Sequence, residues 1–152
     1  MLMRGLILAT ALAGLLASSP AEAQEVIAEC GASTGRALYL TPREIDWAED
    51  RISSGRYKFT VDGAGNPNII FTDATGTAVD AAADGGRLIF SRLAPDRNEF
   101  GVVLIYPSTG VVETYNVLTT SDGRRRLLWS SNKPRIGAVE LSKVGAYTAD
   151  CG

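Results

Sequence analysis

The chain has 152 residues, of which 15 are basic and 17 are acidic, and it contains no histidine. Its formal net charge of −2 disfavours general nucleic-acid binding, for which a basic excess is expected. Without histidine, Ser-His-Asp and Cys-His catalysis and the commonest zinc ligation are excluded. These exclusions favour a binding protein over an enzyme, although carboxylate, lysine, tyrosine or serine chemistry stays open.

The first 23 residues have the pattern of a secretory signal peptide. Arg4 precedes an apolar stretch from Gly5 to Ala17, and Ala21 to Ala23 has the small-x-small pattern of a cleavage site. The apolar stretch is shorter than the ~20 residues that a membrane-spanning helix needs. We therefore expect a signal peptide at residues 1–23 and a single domain at 24–152. The mature protein is expected in the periplasm or the secreted fraction, with no membrane anchor.

The two cysteines, Cys30 and Cys151, lie near the two ends of the exported part. In an oxidising compartment such a pair is expected to form a disulfide, and the chain has no Cys-x-x-Cys spacing that would indicate a redox pair. Closing a loop of about 120 residues restricts the unfolded chain by roughly 4–5 kcal/mol in the chain-entropy description. We therefore expect a structural cross-link.

The first predicted elements follow Cys30. Residues 31–35 are loop-like, and Arg36 to Leu40 is predicted as a short first strand. Thr41 to Glu44 has the composition of a helix start, because threonine can cap a helix and proline fits the first helical position. Residues 42–54 are therefore predicted as a helix, with an ordered loop held by Trp47 as the alternative.

After Gly55 the hydrophobic pattern changes to a two-residue alternation, which predicts short strands separated by turns. The predicted strands cover residues 56–61, 68–73, 87–92, 100–106, 111–119, 124–131 and 143–150. Phe100 to Tyr106 is apolar on both sides of the alternation, so we expect both of its faces to be covered and the other strands to be arranged around it. Residues 138–142 are predicted either to extend a strand or to form a helical turn.

About eight short strands joined by tight turns, with at most one short helix, predict an all-β fold. We expect a small antiparallel barrel, closed or nearly closed, with a β-sandwich as the alternative. The cysteine pair favours the barrel. In a closed meander with an even number of strands, the start of the first strand and the end of the last are neighbours, within reach of a disulfide.

Arg124, Arg125 and Arg126 form an unusual run of positive charge. Arginine binds carboxylate and phosphate oxygens in a bidentate manner, so this run is a possible contact for an anion or an acidic partner. The alternative is a solvated edge strand that charge protects from aggregation.

Four aromatic residues are candidates for a pocket at the mouth of the barrel. They are Trp47, Tyr106, Tyr115 and Trp129. An eight-stranded barrel has an interior that side chains can fill or that admits one small ligand. The alternative is that these rings belong to the core.

The acidic residues give no recognisable catalytic or metal-binding motif. Asp73 to Gly76 differs by one inserted residue from the Asp-Thr-Gly of pepsin-like proteases, so a turn in which Asp73 accepts backbone hydrogen bonds is expected. Asp62, Asp80 and Asp84 do not follow the spacing of a calcium loop. Glu113 would need a second carboxylate to act as an acid–base pair. We expect neither a metal nor a cofactor.

Five short patterns resemble a recurring pattern of small uncharacterised exported bacterial proteins. They are Trp47-x-x-Asp50-x-Ile52-Ser53, Phe71-x-Asp73-Ala74-x-Gly76, Asp84-Gly85-Gly86, Tyr106-Pro107 and Glu113-x-Tyr115. The resemblance spans most of the exported part, consists of turn and strand residues, and implies no catalytic residues. In architecture alone, the expected fold is also similar to small disulfide-tied barrels that inhibit lysozyme in the bacterial periplasm.

The sequence therefore predicts an exported, non-catalytic binding module of the bacterial envelope or secreted fraction, with a protein or a small ligand as its partner. One alternative is a lipocalin-like carrier, which needs an open apolar cavity at one end of the barrel. The other is a carboxylate-based hydrolase, which needs two apposed carboxylates in a concave pocket.

Overall fold

The computed structural model describes residues 24–136 and 141–152. The predicted signal peptide at 1–23 lies outside the described residues. So does most of the ambiguous segment 138–142, of which only the last two residues are described.

Strands dominate the described chain, and the prediction of an all-β protein with at most one short helix is confirmed. The strands are β1 (Glu25–Leu40), β2 (Ile45–Ile52), β3 (Arg56–Val61), β4 (Pro67–Thr72), β5 (Ala78–Asp80), β6 (Arg87–Ala94), β7 (Glu99–Tyr106), β8 (Val111–Thr119), β9 (Arg125–Lys133) and β10 (Ser142–Cys151). A 3-10 turn, Pro95–Arg97, connects β6 to β7.

All of these strands belong to one antiparallel sheet, in the order β5-β4-β3-β1-β10-β9-β8-β7-β6, with β2 also paired to β1. The sheet is strongly curled into a half-barrel. Because the strands form one sheet, the sandwich alternative is wrong. The closed barrel of about eight strands is not confirmed. The sheet has ten strands, and the ladders of the described residues do not join β5 to β6.

The break in the sheet falls between two strands that are consecutive in the chain. An even number of antiparallel pairings separates β5 from β6, so the two strands run in the same direction and do not form a hairpin. Two backbone hydrogen bonds hold the short connection between them. The Ala81 amide donates to the Ile69 carbonyl on β4 (2.9 Å), and the Gly86 amide donates to the Ala81 carbonyl within the connection (2.8 Å). The first and last strands, by contrast, meet in the middle of the sheet.

The disulfide joins those two central strands. Cys30 on β1 and Cys151 on β10 are register partners, and their sulfurs are bonded at 2.01 Å. The predicted pairing of the cysteines is therefore present in the fold.

The region predicted as a loop at 31–35 and a short first strand is one long strand, β1. Between Cys30 and Ser33 the register with β10 shifts by one residue, which is a β-bulge. The bulge also changes which residues face inward, from Ala28 and Cys30 before it to Ser33 and Ala37 after it. Because the inward positions change from even to odd numbers at the bulge, β1 as a whole does not show the strict alternation that predicts a strand.

The helix predicted over residues 42–54 is wrong, and so is the alternative of a loop held by Trp47. Thr41 and Glu44 instead form a tight turn, and residues 45–52 return along β1 as β2. The Thr41 hydroxyl oxygen accepts hydrogen bonds from the amides of Arg43 (3.3 Å) and Glu44 (3.0 Å). These are the contacts of a helix cap, used here to close a hairpin.

The core lies on the concave face of the half-barrel, where rings of opposite strands meet. The Phe59 ring on β3 lies 5.5 Å from the Phe100 ring on β7 and 5.7 Å from the Tyr115 ring on β8. Leu127 and Val117 complete the packing and are fully buried.

Strand β7 is not the centre of the fold. Burial alternates along it, with the even-numbered residues Phe100, Val102 and Leu104 inward, and it is next to the edge strand β6. The prediction that both of its faces are covered is therefore wrong. The central position belongs to β1 and β10.

Candidate functional site

A cavity of about 320 Å³ opens on the concave face of the half-barrel. Its walls are mainly aromatic and aliphatic, and a few polar side chains converge on it. The lining residues used below are Tyr57, Asp84, Tyr106, Glu113, Tyr115, Trp129 and Lys133. The buried core residues, such as Phe59, Val117 and Leu127, lie on the same face beside the cavity.

Three aromatic rings from neighbouring strands stack beside the cavity. Tyr115, Trp129 and Tyr147 are register partners on β8, β9 and β10, so their side chains project from adjacent positions of the same face. The Trp129 ring is 4.1 Å from the Tyr147 ring and 5.7 Å from the Tyr115 ring, with interplanar angles of 17° and 14°. We call these residues the aromatic row; the Tyr57 ring packs 5.6 Å from Trp129.

Two glycines make room for the end of the aromatic row. The Tyr147 ring lies over Gly35 on β1 and over Gly145 on its own strand. A Cβ atom at Gly35 would come within 2.7 Å of the Tyr147 ring, and one at Gly145 would overlap the Tyr147 hydroxyl. Larger residues at either position would therefore move the ring.

Glu113 is a buried carboxylate at the polar end of the cavity. It accepts hydrogen bonds from the Tyr115 hydroxyl (2.5 Å) and the Ser131 hydroxyl (2.8 Å). The Lys133 ammonium lies 3.6 Å from the same carboxylate. Burial, followed by the nearby charge of Glu113, raises the pKa of the Tyr115 hydroxyl well above its usual value, so Tyr115 stays a donor. We call these four residues the Glu113 cluster.

A second polar cluster lies on the same face, across β10. The Tyr147 hydroxyl donates to Asp50 on β2 (2.7 Å), and the Lys143 ammonium forms an ion pair with the same carboxylate oxygen. The ammonium is also 5.5 Å from the ring centres of Tyr39 and Tyr147. We call Asp50, Lys143, Tyr147 and Tyr39 the Asp50 cluster.

The pKa values in the Asp50 cluster shift as expected for a tight pair. Burial works against the charged forms of Asp50 and Lys143. Their mutual hydrogen bond and those with Tyr147 outweigh it, so the pKa of Asp50 is lowered and that of Lys143 is raised. Burial, followed by the hydrogen bond to Asp50, raises the pKa of Tyr147 to about 12.

The mouth of the cavity is negatively charged on the side of Tyr106. Burial raises the pKa of the Tyr106 hydroxyl, and the charges of Asp84, Glu113 and Asp80 raise it further. Asp84 is exposed on the turn between β5 and β6, and within the described parts of the chain no ion pair involves it.

One buried hydrogen-bond donor in the cavity wall lacks a partner. Trp129 is only 7% exposed, and its Nε1 has no acceptor among the described residues. This nitrogen is itself shielded from solvent, so it adds an unfavourable buried donor to the fold and offers no contact to a ligand.

The structure brings together three of the four aromatic residues predicted to line a pocket. Tyr106, Tyr115 and Trp129 all line the cavity, and their role in binding stays a prediction. Trp47 does not join them, because β2 directs it to the convex face, where it is 57% exposed.

The three consecutive arginines make three separate contacts. Arg124 pairs with Asp122 within its own hairpin (2.7 Å), and Arg126 pairs with Asp150 on β10 (3.2 Å). Arg125 points the other way and donates to two backbone carbonyls, those of Ile27 (3.2 Å) and Asn98 (3.3 Å). The run does not form one joint surface for an anion.

Two of the three aspartates considered as calcium ligands, Asp62 and Asp80, hold turns. Asp62 accepts from the amides of Ala64 (3.0 Å) and Asn66 (2.7 Å), and Asp80 accepts from the Ala83 amide (3.0 Å). Asp73 accepts from the amides of Thr75 and Thr77, as predicted for this turn.

A wider depression of about 710 Å³ lies beside the disulfide. Part of its wall is the turn that contains Asp73, Ala74 and Gly76, of which Ala74 and Gly76 are exposed. The concave cavity is the better candidate, since its walls are buried rings with convergent polar groups.

The sequence analysis named Glu113 and Asp84 only for acid–base and calcium chemistry, and it placed neither residue in a pocket. Glu113 alternates with Tyr115 and Val117, so a charge at an inward position of a strand was a readable signal. Asp50 and Lys143 carried no such signal, because their meeting depends on the pairing of β1 with both β2 and β10.

In comparisons with known proteins, no family model, no curated protein and no solved structure matches the chain. In the ranges that the structure describes, no helix has the length and apolar character needed to cross a bilayer.

Proposed function

We propose that the protein is an exported, small-ligand-binding module that holds its ligand in the concave cavity. The observation that carries this proposal is an interior cavity with aromatic walls and a few convergent polar groups, Glu113 and Lys133 among them. Binding sites for small molecules have this composition, in which apolar walls supply affinity and a few polar groups supply orientation.

The size of the cavity supports a small ligand. Its volume of about 320 Å³ is near the lower end of the ~300–1,000 Å³ that is typical of ligand pockets. In this proposal the curled sheet works as a nearly closed barrel, filled by the core at one end and open at the other. That arrangement is lipocalin-like in principle, with a shorter cavity.

The disulfide supports a location outside the cytoplasm. Disulfides persist in oxidising compartments, and the Cys30–Cys151 bond fits the export proposed from residues 1–23. The periplasm and the secreted fraction both meet this condition.

The hydrolase alternative has weaker support. Glu113 and Asp84 line the same cavity and would be the two carboxylates. Both oxygens of Glu113 already accept hydrogen bonds, from Tyr115 and Ser131. A general acid or base must be free to exchange a proton with the substrate, whereas this carboxylate is held as a fixed acceptor.

The two tryptophans provide a test of the proposal. Trp129 lines the cavity and Trp47 is exposed on the opposite face, so Trp47→Phe leaves a single reporter in the site. A library of small metabolites is screened for compounds that raise the midpoint of thermal unfolding of this variant. A ligand at about 100 times its Kd stabilises a protein by about 2.7 kcal/mol.

Compounds that stabilise the protein are then titrated against tryptophan emission. We expect them to change the emission of Trp129 and not that of Trp47, which is measured alone in Trp129→Phe. Stabilising compounds that leave Trp129 emission unchanged, or a library that yields none, would refute binding in the cavity.

A further inference from the structure

The Asp50 cluster shows how this fold holds an ammonium group. The Lys143 nitrogen sits against one carboxylate and faces two aromatic rings, each at 5.5 Å. A cation over the face of an aromatic ring is attracted by the ring quadrupole, and a neighbouring carboxylate strengthens the site. This arrangement lies on the concave face, one strand away from the cavity.

The cavity repeats the same components. Lys133 and Lys143 are register partners on β9 and β10, and each places its ammonium near a carboxylate, Glu113 in one case and Asp50 in the other. The rings around the cavity are those of Tyr57, Tyr106, Tyr115 and Trp129. A second ammonium site is thus built from a carboxylate and electron-rich rings.

The two lysines differ in how firmly they are held. The Lys143 side chain is 17% exposed and also interacts with two rings, whereas the Lys133 side chain is 39% exposed and lies 3.6 Å from Glu113. An ion pair this long and this exposed contributes little to stability. Lys133 is therefore a replaceable partner for the buried carboxylate.

The charges around the cavity favour a cation. Among the described residues, two carboxylates, Glu113 and Asp84, line it against one ammonium, that of Lys133. When Lys133 swings into solvent, Glu113 joins Asp84 as a carboxylate available to a positively charged group entering from the mouth.

We propose that the ligand is a small organic cation, an apolar or aromatic body with an ammonium group. The ammonium replaces that of Lys133 at Glu113, near Asp84 and the rings of Tyr106 and Trp129. The inference rests on the proposed function and adds the class of ligand.

The test compares three probes of similar size and different charge: benzyltrimethylammonium, 3-phenylpropanol and 3-phenylpropionate. Each is titrated into the Trp47→Phe protein, with Trp129 emission and calorimetry as readouts. We expect the cation to bind most tightly. Lys133→Met keeps the side-chain length and removes the competing ammonium, so it should tighten cation binding by roughly 3- to 10-fold. It should leave the alcohol unchanged.

Asp84→Asn provides the opposite perturbation at an exposed position that does not endanger folding. We expect it to weaken binding of the cation by roughly 3-fold or more. The matched control is Asp96→Asn, an exposed aspartate in the 3-10 turn that does not line the cavity, and it should change nothing.

The outcomes separate this inference from the proposed function. Equal binding of all three probes, or tighter binding of the carboxylate with loss in Lys133→Met, would overturn the cation and leave the cavity as the ligand site. If no probe changes Trp129 emission in any variant, the cation inference fails as well, and the metabolite screen described above alone decides the proposed function.

Discussion

The disulfide between β1 and β10 should provide a large part of the stability of the fold. Its two cysteines are 121 residues apart in the chain. In the chain-entropy description, a cross-link that closes such a loop stabilises the folded state by about 5 kcal/mol, because it restricts the unfolded chain. For a domain of this size, each kcal/mol shifts the midpoint of thermal unfolding by roughly 3–4 °C. Reduction should therefore lower the midpoint by roughly 15–20 °C.

The measurements are thermal unfolding and urea unfolding of the oxidised protein, of the same protein reduced with a phosphine, and of the double variant Cys30→Ala/Cys151→Ala. The reduced protein keeps both side chains, so its loss of stability reports the cross-link alone. Cys30 is buried, and the further loss in the double variant reports its packing. The slope of free energy against urea should also rise on reduction, because the unfolded chain expands.

Two results would refute this reasoning. Equal midpoints for the oxidised and reduced proteins would show that the cross-link does not limit the unfolded chain. A loss confined to the double variant would assign the effect to packing of the cysteine side chains.

Four further perturbations test the contacts described above. Arg125→Ala should lower the free energy of unfolding by about 2–3 kcal/mol, because two carbonyls lose a charged donor, while Arg124→Ala leaves it nearly unchanged in the same urea assay. Equal effects would contradict the separate contacts. Folding lowers the pKa of Asp50, so its contribution to stability is present above a pH of about 4 and is lost as pH falls further. The difference in free energy of unfolding between wild type and Asp50→Asn should therefore shrink below a pH of about 4, and a constant difference would refute this expectation. The pKa of Lys143 is raised, so its contribution persists at neutral pH and is lost only above a pH of about 10; Lys143→Met should remove that alkaline loss from the stability curve. Gly145→Ala should cost about 2–3 kcal/mol, since the added methyl overlaps a tyrosine hydroxyl; thermal unfolding with no shift would show that the ring moves aside freely.

The later half of the chain was predictable because its strands are local. The predicted bounds 111–119 are those of β8, and the Ser121-Asp122-Gly123 turn joins β8 to β9, with Gly123 at a φ of +79°. Inward alternation also placed Leu127 and Trp129 in the interior, where both are buried. Strands joined by tight turns have their partner beside them in the sequence, so the pattern and the turn determine the pairing together.

The first part of the chain was not predictable by the same means. Thr41 forms the same hydrogen bonds to following amides that a helix cap forms, so the local signal does not distinguish a helix start from this hairpin. Pairing with β1 decides the outcome, and β1 itself is hidden by its bulge. The same dependence on distant pairing explains why the sequence predicted Tyr115 and Trp129 as pocket residues but did not predict that Asp50 and Lys143 meet.

The pairing of β1 with β10 has a consequence for the order in which the fold is completed. Strands β6 to β10 form a meander of hairpins and can assemble as soon as each is synthesised, because their contacts are local. Strand β1 is made first and its partner β10 last, so one edge of β1 stays unpaired until β10 is added. We therefore expect the thiols to be oxidised only at the end of folding, so that formation of the Cys30–Cys151 bond marks a finished molecule.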